Sequence, residues 1–349
     1  MKTNAAIQTA SGNPLTIEER EVPDPRGDQV LVKLFSSGVC HSQLHQMENP
    51  SLSRPLVLGH EGTGIVTHVG RNVTHLKEGD HAIVTWVPRT PVKGRPDVPL
   101  SGVTFREEPV HGNVYTWGED VLVSGEFVVQ ISKEYPTDVT CLIGCAVLTG
   151  AGAVLNTAKV RPGDSVAVFG VGGVGLCAIR MAAILEANPI IAVDLEDDKL
   201  ELAKEFGASH GINASQVDPV AAIQEITSGG VDFAFDAIGV KVTNEQILPS
   251  TRGGGPGADN HGGMAVLIGL PGWDITIDSR LFVTQQRQYR GSLGATYPDK
   301  DFQMFLRLYQ EGKFPLDKLV TQRYQLKDIN QACDALKSGN ILGRAIIEY

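Results

Sequence analysis

The chain has 349 residues, with 30 Lys and Arg against 40 Asp and Glu and a formal net charge of -10. That length is ample for a buried core and predicts about two domains. The acidic balance speaks against nucleic acid or an anionic membrane surface as a main partner. The five cysteines, at 40, 141, 145, 177 and 333, form an odd and scattered set. Such spacing suits a reducing cytosol with metal-bound or buried thiols better than a disulfide framework. The N-terminal "MKTNAAIQTASGNP" lacks the apolar core of a signal peptide, and no apolar run is long enough to span a membrane. A cytoplasmic protein without a membrane span is expected.

In chain order, the first part reads as short strands. "QVLVKLFS", "GTGIVTHVG", "GDHAIVTW" and "EFVVQI" are runs of strand formers separated by Gly or charge. Few helical periods occur there. Residues 87–120 are rich in Pro and Gly and read as an irregular excursion. From Cys141 to Ala158 the chain turns helical. The middle then alternates: strand "SVAVF", helix "GVGLCAIRMAAILEA", strand "PIIAVD", helix "DDKLELAKEFGA", helix "VDPVAAIQEITSGG", strand "VDFAFDAIG" and strand "MAVLIGLPG". This order predicts an α/β fold with a doubly wound parallel sheet. "RGGGPGADNHGGM" reads as a flexible loop. Two helices follow, around "DKDFQMFLRLYQEG" and "KDINQACDALKSG", and a strand "GRAIIEY" closes the chain. The expected organisation is a β-rich domain of 1–146 and 294–349 with a nucleotide-binding domain, 147–293, inserted.

The clearest motif is "SVAVFGVGGVG", which puts Gly170, Gly172 and Gly175 in G-x-G-x-x-G spacing around Gly173 and Val174. It follows an apolar strand and opens a helix, and Asp194 ends the next strand. Gly170 permits the turn, Gly172 lets backbone approach a pyrophosphate, and Gly175 permits close packing of helix on strand. The helix N-terminus favours the anion. Asp194 can accept hydrogen bonds from ribose hydroxyls and would repel a 2′-phosphate, so NAD is expected over NADP. The competing reading, a Gly-rich turn in an unrelated α/β fold, does not account for the acid.

"SSGVCHSQLHQMENP" brings Cys40, His41, Ser42 and His45 within six positions. One Cys and two His do not complete a zinc site. Further candidate ligands are His60 and Glu61 in "PLVLGHEGTG" and Cys145 in "LIGCAVLTG". "GVCHS", "GHEGTGIV", "GC...TG" and "VFGVGGVG", in that order, resemble the zinc-dependent alcohol dehydrogenases of the medium-chain dehydrogenase/reductase superfamily. The resemblance runs over essentially the whole chain. It implies a GroES-like catalytic domain with a Rossmann domain inserted, and a catalytic zinc held by Cys40, His60 and Cys145. Beside that, two thiolates and an imidazole are a soft, zinc-selective set, and three protein ligands leave an open Lewis-acid position. The bland alternative is that Cys40 and Cys145 are buried small hydrophobes. Cys141 lies four residues before Cys145 and could share a helix face with it. The family pattern, Gly before the ligand and Thr four after, selects Cys145 with Thr149 and leaves Cys141 to packing. Cys177 and Cys333 fall inside amphipathic helices and are expected in the core.

The resemblance implies further roles. Glu61 would act beside the zinc or ligate it transiently. Ser42 and His45 would carry the substrate proton to solvent, an outer step that suits imidazole. His41 and Arg344 would face the pyrophosphate, Lys199 the adenosine ribose, and Thr149 the nicotinamide. The backbone at Ile268, Leu270 and Leu293 would meet the carboxamide, and Trp86 would border the substrate. Most have a plainer alternative: Glu61 a solvated loop acid, Ser42 a turn or cap residue, His45, Lys199 and Arg344 surface residues, Thr149 a helix residue bonding its own backbone, and Ile268, Leu270, Leu293 and Trp86 core. Two departures from the family pattern stand out. Relatives commonly carry Asp after "C-x-S", where this chain has Gln43; Gln can accept the same hydrogen bond without the charge. Many relatives also bind a structural zinc through four cysteines after the strand matching "GDHAIVTW". Residues 86–121 contain no Cys, so one catalytic zinc and no structural zinc are expected. The Cys-free excursion would be ordered by packing or left mobile, and would border the pocket. The expected activity is reversible hydride transfer between a small-molecule alcohol and NAD, in a homodimer or homotetramer. The rival readings are a zinc-free quinone or enoyl reductase of the same superfamily, and a non-catalytic NAD-binding structural protein.

Overall fold

The computed structural model describes residues 1–90, 94, 101–112, 114–272 and 274–349. Strands β1 (Lys2–Gln8), β2 (Thr16–Glu21) and β3 (Gln29–Val39) lead into helix α1 (His41–Glu48). Strands β4 (Leu56–Val57), β5 (Gly62–Val69), β6 (His81–Val84), β7 (Thr104–Phe105), β8 (Glu108–Pro109), β9 (Asp120–Ser124) and β10 (Val128–Ile131) follow. The alternating middle comprises α2 (Ala146–Gly152), β11 (Val166–Phe169), α3 (Gly173–Ile184), β12 (Ile190–Asp194), α4 (Asp197–Phe206) and β13 (His210–Asn213). It continues through α5 (Pro219–Thr227), β14 (Phe233–Asp236), α6 (Lys241–Ile247), β15 (Met264–Leu267), α7 (Arg280–Val283) and β16 (Gln288–Gly291). The tail holds α8 (Pro298–Gln310), α9 (Leu316–Leu319), β17 (Val320–Gln325), α10 (Ile329–Lys337) and β18 (Arg344–Glu348).

Two compact units result. The first is Met1–Cys145 with Tyr297–Gly312 and Leu316–Tyr349; the second is Ala146–Thr296 with Lys313–Pro315. The chain thus leaves the first unit after Cys145, returns at Tyr297, and passes once more through the second at Lys313–Pro315. In the first unit, one sheet runs β4-β1-β2-β7-β8 and another β10-β6-β5-β3-β18-β17, with β9 also on β3. Strand β3, "QVLVKLFSSGV", is buried along most of its length. It needs covering on both faces, which suits its run of Val and Leu. The last strand, β18, lies antiparallel to it, Ala345 opposite Val39. Chain tail and head are therefore joined immediately before Cys40. Fully burying each such aliphatic side chain stabilises the fold by about 1.5–3 kcal/mol before chain entropy is counted.

The second unit has a parallel six-stranded sheet in the order β13-β12-β11-β14-β15-β16. Strand order reverses at β11, which pairs with β12 on one side and β14 on the other. The carboxyl end of a strand at such a switch point is where open α/β sheets bind ligands. Gly170 follows β11 directly. Cys177 in α3 is fully buried, as is Cys333 in α10 of the first unit at 4% exposure.

Several elements escape the sequence reading. Strands β1 and β2 pair over Lys2–Ile7, but the charged "TIEERE" does not announce a strand. Strands β13 and β16 lie at the sheet edges, where apolar content is low. Helix α1 is a short one begun by a cysteine, a poor N-cap residue. The stretch expected as a flexible loop is fastened: Gly254 N donates to Gln285 O, Gly262 N to Gln286 O and Gly263 N to Arg252 O. Arg252 also donates to Asp232 and to His261 O. Glycine there serves close backbone approach. Part of the excursion is ordered by packing: β7 pairs β2, and Val103, Phe105, Val110, Val114, Tyr115 and Trp117 are buried. Residues 91–93, 95–100 and 113 lie outside the described residues. Among the described residues, no helix is long and apolar enough to cross a membrane.

Candidate active site

Three chain segments of the first unit converge on one set of donors. Cys40 follows β3 and begins α1. His60 lies just before β5. Cys145 ends the tight turn Thr140–Gly144, which is tied to β6 by Thr85 Oγ1 donating to Gly144 O at 2.7 Å. The Cys40 and Cys145 thiols and the His60 imidazole offer ligand atoms all within 4.8 Å of one another, the only such cluster of three or more among the described residues. His60 Nε2 stands 2.9 Å from Cys145 Sγ. The Cys40 thiol is held well below its ordinary pKa, first by its hydrogen bond with Cys145, then by the Arg344 guanidinium and by His60, with burial opposing. A thiolate is the metal-ligating form. Two soft sulfurs and a nitrogen, with no fourth side chain among the described residues, fit a zinc site that keeps one position open.

Cys141 behaves differently. It is fully buried, its Sγ donates to Asp138 O at 3.1 Å, and burial pushes its pKa up to about 12. It sits outside the donor cluster.

Glu61 also lies outside that cluster. Its carboxylate pairs with Arg344, and both side chains are buried. This pairing sets Glu61 outside the donor cluster and turns the Arg344 guanidinium to Glu61. A buried carboxylate left alone would be very costly, and the guanidinium at the start of β18 compensates it. Gly38 makes this possible, since a Cβ there would lie 2.3 Å from Glu61 Oε1.

On α1, Ser42 Oγ is buried and has no hydrogen-bond partner. His41 and His45 are exposed, with ring centroids 6.4 Å apart. Gln43 is buried; its Oε1 accepts the Cys40 N–H at 3.1 Å, and its amide nitrogen contacts His60 Nδ1. The sequence reading has Gln43 accepting from His60, whereas here its amide nitrogen faces Nδ1 and its oxygen caps the helix. Trp86 packs beside His60, ring centroids 6.2 Å apart, and its indole N–H is buried without a partner.

The second unit carries the glycine turn. Gly170 has φ +83, which only glycine adopts at little cost. A Cβ on Gly175 would lie 1.9 Å from Gly170 O, so that position requires glycine for packing. A Cβ on Gly172 would meet nothing within 4 Å: the backbone here faces open space. Gly173 and Val174 form the first turn of α3. Asp194 accepts from Val171 N at 3.0 Å and from Leu195 N at 2.8 Å. It braces the turn from the end of β12. Thr149 Oγ1 in α2 is buried and unpartnered. Ile268 is buried, Lys199 is half-buried, and Leu270 and Leu293 are exposed. A turn open at Gly172 and closed at Gly175, with an acid at the end of β12, fits a dinucleotide.

Fold and donor set together define a zinc-binding dehydrogenase with a GroES-like catalytic domain. Family models described as "Alcohol dehydrogenase GroES-like domain" and "Zinc-binding dehydrogenase" match residues 26–133 and 173–311. An S-(hydroxymethyl)glutathione dehydrogenase of Synechocystis sp. is 35% identical over 378 aligned residues, covering 100% of both chains. A benzyl alcohol dehydrogenase structure from Acinetobacter calcoaceticus superposes with a TM-score of 0.90 at 31% identity, covering 100% of this chain and 99% of that one. An alcohol dehydrogenase zinc-binding domain protein from Burkholderia ambifaria gives 0.89 at 32%, with the same coverage. The chain belongs to the zinc-dependent alcohol dehydrogenases of the medium-chain dehydrogenase/reductase superfamily.

Proposed function

We propose that this chain is an NAD-dependent enzyme that interconverts an alcohol and its aldehyde or ketone, with one catalytic zinc and no structural zinc per chain. The observation that carries the reading is the convergence of Cys40, His60 and Cys145 beside the buried, unpartnered Ser42 hydroxyl. Cys40, His60 and Cys145 would hold the zinc, which supplies a Lewis acid that acidifies the substrate hydroxyl. Ser42 Oγ would accept the proton that the substrate gives up while its own proton passes to the nicotinamide ribose hydroxyl and on to His45. His45, exposed on the last turn of α1, passes it to solvent. Trp86 excludes water beside the reacting carbon. Glu61 and Arg344 keep each other neutral as a pair and add no net charge beside the thiolates. Gly170 to Gly175 receive the pyrophosphate, and Asp194 takes the adenosine ribose hydroxyls and repels a 2′-phosphate. Thr149, with its unpartnered hydroxyl, faces the nicotinamide, His41 supports the phosphates, and Lys199 supports the ribose. Backbone groups at Ile268, Leu270 and Leu293 hold the carboxamide. We assign the enzyme to the cytoplasm as a homodimer or homotetramer.

The deciding experiment combines metal analysis with a substrate panel of primary, secondary and aromatic alcohols, each with NAD and NADP. The panel includes benzyl alcohol and S-(hydroxymethyl)glutathione, after the two relatives' names. One zinc per chain and NAD reduction by at least one alcohol are expected. Absence of zinc would favour a quinone or enoyl reductase, and absence of turnover with intact NAD binding a non-catalytic protein.

A further inference from the structure

We propose that Gln43 sets how firmly this chain holds its metal, because it offers one acceptor to two donors. The inference rests on reading Cys40, His60 and Cys145 as a zinc site. Gln43 is 1% exposed and occupies the third position of α1. Its Oε1 accepts the Cys40 N–H at 3.1 Å, the return bond of a capping box. Its NH2 contacts His60 Nδ1. In this orientation the NH2 donates, Nδ1 accepts, and the imidazole proton belongs on Nε2. That N–H faces Cys145 Sγ at 2.9 Å. Every polar group in the chain Cys40 N–H, Gln43, His60, Cys145 is then satisfied.

Zinc ligation through Nε2 requires the opposite tautomer. The ring proton moves to Nδ1, where it needs an acceptor. It meets the Gln43 NH2, a donor facing a donor. Turning the amide by half a rotation offers Oε1 to Nδ1–H, but then sets NH2 against the Cys40 N–H and uncaps α1. The competition holds in either orientation of the amide; we take the one with Oε1 on the Cys40 N–H, because it gives both neighbours a partner in the metal-free protein. Two donors then compete for one acceptor oxygen, which must be shared between them in a poorer geometry or leave one of them unserved. A carboxylate of the same length has two acceptor oxygens and would serve both at once. Helix capping and metal orientation therefore compete in this chain, through a residue that bonds the backbone of one ligand and the side chain of another.

The test uses the full-length protein, zinc alone and a chromophoric chelator as competitor. Gln43→Glu is expected to bind zinc about tenfold more tightly than wild type, within the range for partners of metal ligands. Equal or weaker binding overturns the proposal. Since added charge alone attracts zinc, the ¹⁵N spectrum of the His60 ring is read in zinc-depleted protein. The proton is expected on Nε2 in wild type and on Nδ1 in Gln43→Glu. Tighter binding with an unchanged tautomer overturns the acceptor argument. Should the variant not fold, the wild-type spectrum decides alone, and a proton on Nδ1 sinks the idea. Failure of wild type to bind zinc at all would overturn the zinc reading and this inference with it.

Discussion

The donor cluster of the first unit and the glycine turn of the second are built by opposite means. The cluster draws single side chains from three segments separated by long stretches of chain, and two strands and a tight turn bring them together. The turn is one contiguous stretch, and its work is done by backbone and by the absence of side chains. The first kind of site concentrates its function in a few atoms that cannot be replaced. The second spreads its function over backbone groups, so that what matters is which positions lack a Cβ, and why.

The sharpest way to break this comparison is at the two neighbouring cysteines. Cys145→Ser should remove zinc and abolish turnover, since a hydroxyl is a poor soft ligand. Cys141→Ser should keep one zinc and most of the activity. Zinc content and initial rates read both, and loss of zinc from the second variant alone would show that the cluster is misassigned. The thiols should also differ in reactivity. With its pKa pushed up to about 12 by burial, Cys141 stays protonated at neutral pH, so alkylation after zinc removal should label Cys40, whose thiol is held low, and spare Cys141.

Ser42→Ala comes next in size. Turnover should fall by about a hundredfold, the scale of a lost proton-transfer partner, with zinc and NAD binding kept. Full turnover with a deuterium-alcohol isotope effect showing chemistry to be rate-limiting would exclude Ser42 from the proton path. His45→Gln should have a smaller effect, because water can replace an exposed outer station.

The glycine turn gives a paired test of its own. Gly175→Ala should lower the melting temperature as well as NAD affinity, because the new Cβ meets Gly170 O; overpacking of this kind costs about 1–3 kcal/mol. Gly172→Ala should leave the melting temperature nearly unchanged while weakening NAD, since its Cβ meets only open space. A melting shift as large as that of Gly175→Ala would show that the cradle is packed rather than open. Asp194→Ala should have the smallest effect, about a tenfold loss in NAD affinity through lost charged hydrogen bonds. Discrimination against NADP should relax with it. If wild-type enzyme preferred NADP, the role given to Asp194 would be wrong.

Much of the fold was legible because buried parallel strands are apolar runs: "SVAVF" and "PIIAVD" became β11 and β12. Exposed edge elements were not, since β2, β13 and β16 carry little apolar signal. The loop at 252–264 misled for a related reason. Its glycines look permissive one by one, and only the carbonyls around them reveal that they are held.

The sequence by itself determined the alternation of the second unit, the glycine spacing with its acid, and the residue types able to hold a zinc. These depend on local periodicity and on chemistry that side chains carry wherever they lie. Tertiary structure alone decided that Glu61 turns to Arg344 and that the Gln43 amide is divided between a helix cap and an imidazole. Those outcomes depend on distances between residues far apart in the chain, and on each buried polar group finding a partner only among the neighbours the fold supplies.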